Sequence, residues 1–590
     1  MRQRLWLRME LFEHFAMQFQ SRCVINLTPQ NIINGVAALR QLGNTHASVE
    51  RRPEESTASS TPTQPISYAM WKNVAETTFQ WKDNECRSFW LVVVCLHHQI
   101  PILPSDDAQN KRDPSFLADE DYFLLEHVPL YKLATFLFLH MDKKSSKHRA
   151  KPSFDAVWRR EDQPMTSPGS SGASSPVHLA APISPSSPHS IGLKDRLESE
   201  THALSFVKAN LDLLVSLVLD TSLTADDAII TAPQFDLLGV LFCGGASHVQ
   251  QYPRLSAAYP KWQQPHQLAS KVLKWLRTRL ALNDVLYPRV GTCTPNNSII
   301  ATLHLNMPVS QDLEVEQPPS DNGSTRALIA SLPRPVVISL VSKATVIKRA
   351  DEFMRHCDVT IFGCHDAYIY VLGPLRHVSV VASCNCKVVL GPASGICTVD
   401  RCDNTTVSAT CALLRVHNCL DSTFNVFTPR RSIFDGDNRG CYIGPFNAQY
   451  PHLRLHLVQS RLAYVPHSTG QWNKFVNLDT DEPSDASADA AVVLQTPLQF
   501  TEVCVPVKMD AVSPRGRLPV ALPIEFEHAV RRAQDNVDGL RRLIDEFDTP
   551  VKKLLEQAIQ AKFKEWLVVS GNMRQVLDLV QLEKARQHAV

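Results

Sequence analysis

Four seven-residue segments in the second half of the chain each end on a cysteine. They are Asp358–Cys364 (DVTIFGC), Val378–Cys384 (VSVVASC), Ile396–Cys402 (ICTVDRC) and Leu413–Cys419 (LLRVHNC), at steps of 20, 18 and 17 residues. A second marker, Leu-Gly-Pro, occurs at Leu372–Pro374 and Leu390–Pro392. Few folds satisfy a period near 20 with β-branched residues in every unit. One such unit cannot bury its apolar face alone, so the units must stack as coils of a parallel β-helix. Within a unit, side chains alternate between the two faces of the strand. Positions two and four are Val359 and Ile361, Ser379 and Val381, Cys397 and Val399, Leu414 and Val416, and they are expected to point inward. Position three reads Thr360, Val380, Thr398 and Arg415. One arginine is therefore expected on the outer face of a rigid strand stack.

Composition places the chain among soluble globular proteins, with 590 residues, 44% hydrophobic and 20% charged. A net charge of +1 gives no global drive toward nucleic acid or a membrane surface. The N-terminus (MRQRLWLRMELFEHF) interrupts its apolar residues with Arg8, Glu10 and Glu13, unlike a signal peptide. The longest strongly apolar run, Phe89–Leu96, is too short to span a bilayer. The 15 cysteines, nine of them between Cys357 and Cys441, are thus expected as reduced thiols in the cytoplasm.

The organisation reads as a mixed α and β chain with the β-helix near its centre. Residues 1–141 form a helical N-terminal region, with Leu11, Phe12, Phe15 and Phe19 on one helix face and Trp71, Trp81, Phe89 and Trp90 in a packed core. Residues 142–195 are a disordered Ser/Pro linker with Ser-Pro pairs at Ser167, Ser175, Ser184 and Ser187, open to proline-directed kinases. Residues 196–290 are helical again, through Leu204, Val207, Leu211, Leu214 and Val218, then Leu268, Val272, Trp275 and Leu276. A linker (291–332) precedes the β-helix domain (333–478), which is followed by an acidic spacer (479–492) and a strand segment (493–520). In the C-terminal region (521–590), Phe526, Val530, Ala533, Val537, Leu540, Ile544 and Phe547 alternate steps of 4 and 3, a heptad seam. Thr549-Pro550 starts a second helix with a broad apolar face. The pair reads as a helical hairpin packed on itself or on the β-helix, or as a coiled coil for a partner or a second copy.

Few residues suggest chemistry. Cys384, Cys386, Cys397, Cys402 and His377 could be gathered into a zinc site, but they lack paired short spacings. Cys384, Cys402 and Cys419 share a repeat position, so a column of small buried thiols is the simpler expectation. No phosphate loop, HExxH, GxSxG or kinase signature is present, and neither a cofactor nor a metal is expected. Arg415 remains. A guanidinium held on a rigid strand can act as an arginine finger on another protein's γ-phosphate, or simply meet solvent or a partner. Arg430 and Arg431 follow Pro429 and form either a basic contact patch or a solvated turn.

The repeat, followed by Pro445-Phe446-x-x-x-Tyr450-Pro451 and Trp472-Asn473, resembles the C-CAP/cofactor C-like domain of tubulin-binding cofactor C. That resemblance implies a right-handed parallel β-helix. In cofactor C and its relative acting on Arf-like GTPases, a Cys-Gln-Gln-[Phe/Leu]-Arg stretch supplies an arginine finger. The matching stretch here is Cys411-Ala412-Leu413-Leu414-Arg415, which keeps the arginine and lacks both glutamines. Ala448 and Gln449 replace the aromatic residue that usually precedes Tyr-Pro. A closer resemblance is to the tubulin-binding cofactor C domain-containing protein 1 family. It rests on Tyr370–Leu375, Val389–Pro392, Cys402–Asn404, Asn425–Arg431, Leu462–Pro466, Lys562–Leu567 and the surroundings of Trp71. It implies a non-enzymatic cytoskeletal scaffold with centrosomal or cytoskeletal partners, located at the centrosome, spindle pole or basal body. Centriole and organelle positioning, Golgi organisation and cell morphogenesis are the implied roles. The alternative is a GTPase-activating protein for tubulin or an Arf-like GTPase, with Arg415 as its finger.

Overall fold

The computed structural model describes residues 5–15, 27–50, 63–99, 123–142, 200–219, 228–244, 255–259, 262, 266–282, 336–353, 356–462, 469–478, 491–505, 520–570 and 572–589. The Ser-Pro pairs, the 291–332 linker, most of the acidic spacer, Phe19 and most of Leu462–Pro466 lie outside the described residues.

Residues 336–445 wind into a parallel β-solenoid of about six turns. One face is built by β7 (Val336–Ser339), β9 (Cys357–Phe362), β11 (Leu375–Val381), β13 (Ala393–Asp400), the second half of β14 (Thr406–His417) and β16 (Ser432–Asp435), extended by β19 (Phe475–Asn477). The other is built by β8 (Thr345–Arg349), β10 (Tyr368–Leu372), β12 (Lys387–Leu390), the first half of β14, β15 (Thr423–Phe427), β17 (Cys441–Pro445) and β20 (Val492–Leu494). Inside, Val359, Val378, Cys397 and Leu414 form one apolar row and Ile361, Val380, Val399 and Val416 the next. Ile369, Val388, Val407, Phe424 and Ile443 line the opposite wall.

The coil length corrects the expected register in one unit. Strand β11 pairs Val378 with Val359, so Val378 and Val380 point inward, while Ser379 lies in the outer row with Thr360, Thr398 and Arg415. The thiol column is therefore Cys364, Cys402 and Cys419, with Ser383 in the second coil, and Cys384 lies one position on, bridged to His365 and Asp403. The turns explain the true period. Each coil bends through two left-handed residues three apart: Gly363 and Asp366, Ala382 and Asn385, Arg401 and Asn404, Asn418 and Asp421. Asn, Asp and Gly, which tolerate that conformation best, fill six of these eight positions, and Ala382 and Arg401 take the other two. At the corners the thiols donate to backbone carbonyls, as Cys419 Sγ does to the His417 oxygen at 3.3 Å. Burial pushes the Cys364 thiol up to about 12, so this sulfur remains protonated.

The Leu-Gly-Pro marks fall at the opposite corner. A Cβ on Gly391 would lie 2.0 Å from the Gly373 oxygen, so the two glycines let consecutive coils touch backbone to backbone.

The N-terminal regions form one helical body. Three short antiparallel pairs tie it together: β1 (Leu5–Leu7) with β5 (Phe242–Gly244), β2 (Pro65–Ser67) with β3 (His127–Pro129), and β4 (Ile229–Thr231) with β6 (His266–Leu268). Helices α1 (Met9–Phe15), α2 (Pro29–Glu50), α3 (Tyr68–Thr78), α4 (Asp83–Gln99), α5 (Leu130–Leu139), α6 (Glu200–Ala209), α7 (Leu211–Leu219), α8 (Ala232–Leu237) and α9 (Ala269–Arg279) pack around them. The expected aromatic core is present. Trp71, Trp81, Phe89 and Trp90 are buried, and Trp71 stacks on Phe89 at 4.5 Å while its indole donates to the Cys86 carbonyl. The helical run 200–219 bends by 67° between α6 and α7. Among the described residues, no single helix is long and apolar enough to cross a membrane.

Downstream, α10 (Leu453–Gln459) and the pair β18 (Ala448–Gln449) with β21 (Val503–Cys504) flank the solenoid. Within the expected strand segment 493–520, the described residues include the end of β20 and β21, and residues 506–519 lie outside them. The C-terminal region departs from a packed two-helix hairpin. It contains three helices, α11 (Ile524–Asp545), α12 (Thr549–Val569) and α13 (Asn572–Ala589). Phe526 seats the start of α11 against Trp472 and Phe500, and α13 touches the solenoid through Asp578 to the Thr345 amide and Gln575 to the Tyr370 hydroxyl. Of the seam residues beyond Val530, Ala533, Val537, Leu540 and Phe547 are exposed, Leu540 by 61%, and Ile544 is half-buried.

Candidate functional site

Arg415 projects outward from β14, as its place in the repeat dictates, but it is only 1% exposed. The helical body covers it. Helices α1 and α4 lie across β11, β13 and β14, and the outward side chains Ile396, Leu413 and Ile433 join the helical body's own core. Arg415 is thus sealed by a domain junction.

The guanidinium is fully engaged there. Its Nε donates to Asp435 Oδ1 at 3.1 Å and one terminal nitrogen donates to Oδ2 at 3.0 Å, a two-point pair. The other terminal nitrogen donates to the His14 carbonyl at 3.3 Å, which ties the pair to the end of α1. His417 Nδ1 stands 3.0 Å from Asp435 Oδ2. Burial alone would raise the Asp435 carboxyl; Arg415 and His417 outweigh it and hold the group well below the usual carboxylate range.

One coil group away, Arg376 makes the same arrangement with Asp358, with Nε to Oδ1 at 2.7 Å and a second contact to Oδ2. Glu10 of α1 approaches Arg376 at 3.8 Å and Arg8 at 3.4 Å. Between the two arginine pairs, the His14 ring stacks on His377 at 4.9 Å and meets Thr398 Oγ1 at 3.0 Å. Ser379 Oγ reaches Glu13 at 3.4 Å. Burial, reinforced by His14 and Arg376, holds His377 well below the usual imidazole range. Its neutral Nδ1 accepts from the Ile396 amide at 3.0 Å.

Arg430 overturns the expected basic patch. It is fully buried, with its guanidinium 3.2 Å from the Phe123 ring centre and a 2.7 Å bond to the Ala412 carbonyl. The turn after Pro429 is covered by Phe123 and by Cys95 of α4, so neither solvent nor a partner reaches Arg430. Arg431 is half-buried beside it. The sequence-marked arginines 415 and 430 thus belong to one junction. Its other members, Arg376, Asp358, Asp435, His14 and His417, went unmarked in the sequence. A usable signal existed, because opposite charges 18 and 20 residues apart, about one coil, become neighbours on adjacent rungs.

Among the described residues, no group of His, Cys, Asp and Glu could hold a metal ion. Cys384 instead sits 3.9 Å from Asp403, and Cys397 and Cys402 are buried as free thiols. The remaining motif residues are structural. Phe446 and Tyr450 pack in a small cluster beside the solenoid, and Trp472 closes its end against Phe526.

The family model of tubulin binding cofactor C matches residues 356–475, which hold most of the parallel β-solenoid and its Arg415 rung. The chain carries a TBCC domain. Its relatives include TBCC domain-containing protein 1 of Xenopus tropicalis, 30% identical over 249 residues, which covers 42% of this chain and 44% of that protein. The human protein of that name is 28% identical over 250 residues, 42% and 43% of the two chains. The mouse protein aligns further, 26% identical over 437 residues, 69% and 73%. The chain spans less than half the length of the frog and human relatives.

Proposed function

We propose that this protein is a non-enzymatic cytoskeletal scaffold at the centrosome, spindle pole or basal body. In that role it helps to position centrioles and organelles, organise the Golgi and shape the cell. The observation that carries the non-enzymatic part is the sealed Arg415. A finger must reach a nucleotide on another protein, and this guanidinium already spends its donors on Asp435 and His14 beneath α1. The family match supports a tubulin- or cytoskeleton-related partner. Rigid stacked coils suit docking because little ordering entropy opposes it.

The retained arginine in the Cys411–Arg415 stretch favours the second reading, a GTPase activator for tubulin or an Arf-like GTPase. That reading requires the helical body to leave the solenoid, exposing Ile396, Leu413 and Ile433 to water. Imaging the tagged full chain against a pericentriolar marker tests the scaffold reading. Concentration at the centrosome or basal body is expected; a diffuse signal that stays diffuse through mitosis contradicts it.

A further inference from the structure

We infer that the protein self-associates through α11, as an antiparallel two-stranded coiled coil between two copies. The seam of α11 extends about 32 Å at the usual helical rise. Beyond Val530 most of it is exposed: Val537 is 51% and Leu540 61% exposed, and Phe547 just past the helix is also exposed, while Ile544 is half-buried. Exposed apolar rows at heptad spacing are partner surfaces.

A second copy fits this row in one orientation. With a two-fold axis at residue 535, Val530, half-buried at the edge of the solenoid core, faces the partner's Leu540, and Ala533 faces the partner's Val537, while Phe526 stays in its own core. Each layer occurs twice by symmetry, which gives four. The small Ala533 and Val537 fall at the centre, where the helices come closest. Charge follows the same axis. Glu527 flanks the seam on one side and faces the partner's Arg541, again twice. On the other side Ala529 faces the partner's Leu543, whose 59% exposure in the single chain is thereby removed. Asn536 meets its own copy at the axis. A parallel, in-register pair sets Ala529 against Gln534 and Asn536 against Arg541, which satisfies neither Glu527 nor Leu543.

Within one chain Glu527 pairs with Arg531 and Arg541 with Asp538, both as exposed contacts along the helix. Such pairs are weak and readily exchanged for contacts across an interface. The anchored end is compatible with this geometry. Phe526 rests on Trp472 and Phe500, so each helix projects from its own solenoid and carries the partner's solenoid at its far end. The symmetry is closed, so assembly stops at two.

Sedimentation equilibrium on the full chain, over concentrations around ~10 µM, tests this. The wild type is expected as a dimer. Val537→Asp combined with Leu540→Asp should yield a monomer, with an unchanged far-ultraviolet spectrum because both positions are exposed. Glu527→Arg should weaken the dimer about tenfold, since two opposite-charge contacts become like-charge contacts. Adding Arg541→Glu should restore it. A monomeric wild type overturns the inference. So does a dimer that survives the seam variant, or one indifferent to the charge reversal.

Discussion

A guanidinium removed from water is tolerated only when its charge and its donors are met. Arg415 meets both conditions with one carboxylate and one backbone carbonyl contributed from opposite sides of a domain junction. Replacing such a pair by apolar groups is often neutral, whereas removing one member leaves a stranded charge. Arg415→Ala should therefore destabilise the protein by about 3–5 kcal/mol. Arg415→Ala with Asp435→Ala should recover a large part of that loss. Denaturant titration of the four members of this cycle checks the coupling. If Arg415→Ala were as stable as the wild type, the pair would not join the two bodies. The outward direction of Arg415 was legible from strand alternation, because position three of a unit faces away from the solenoid core. Its burial was not, because the covering residue, His14, lies some four hundred positions earlier and no local pattern announces it. Arg430 fails as a surface residue for the same reason, with Phe123 and Cys95 supplying its cover.

Among the elements, the coils carried the clearest sequence signal, because a repeated inner row must repeat its residue types. The register error in the second coil shows what cysteine spacing hides. Cys364, Cys402 and Cys419 align, but the second coil fills that position with Ser383, and Cys384 beside it invites a shift of one. The corner residues Asp366, Asn385, Asn404 and Asp421 keep the true phase. The Leu-Gly-Pro marks were legible as repeats without a reason. The reason is steric, since Gly391 lies directly against the Gly373 backbone. Gly391→Ala should therefore cost about 1–3 kcal/mol through overpacking against atoms that cannot rotate away. A melting temperature equal to that of the wild type would contradict this close contact. In the C-terminal region the heptad seam was readable, but its partner was not, and the third helix, α13, carries no comparable periodic signal.

At the scale of the whole molecule, the solenoid works as a rigid spine with one flank committed to the helical body. Ile396, Leu413 and Ile433 look outward from the coils and still belong to an apolar core, which binds the two bodies over a broad area. The flank that carries Arg415 is thus occupied from within, while the middle of α11 remains exposed. This arrangement favours a protein whose role is set by what it holds together. The central claim is that Arg415 joins domains and does not act on a nucleotide. The direct measurement is GTP hydrolysis by purified tubulin and by an Arf-like GTPase, with and without the full chain and its Arg415→Ala variant. The account predicts unchanged turnover with either protein. Stimulation by the wild type that falls by about 10³-fold or more in a folded Arg415→Ala variant would contradict it.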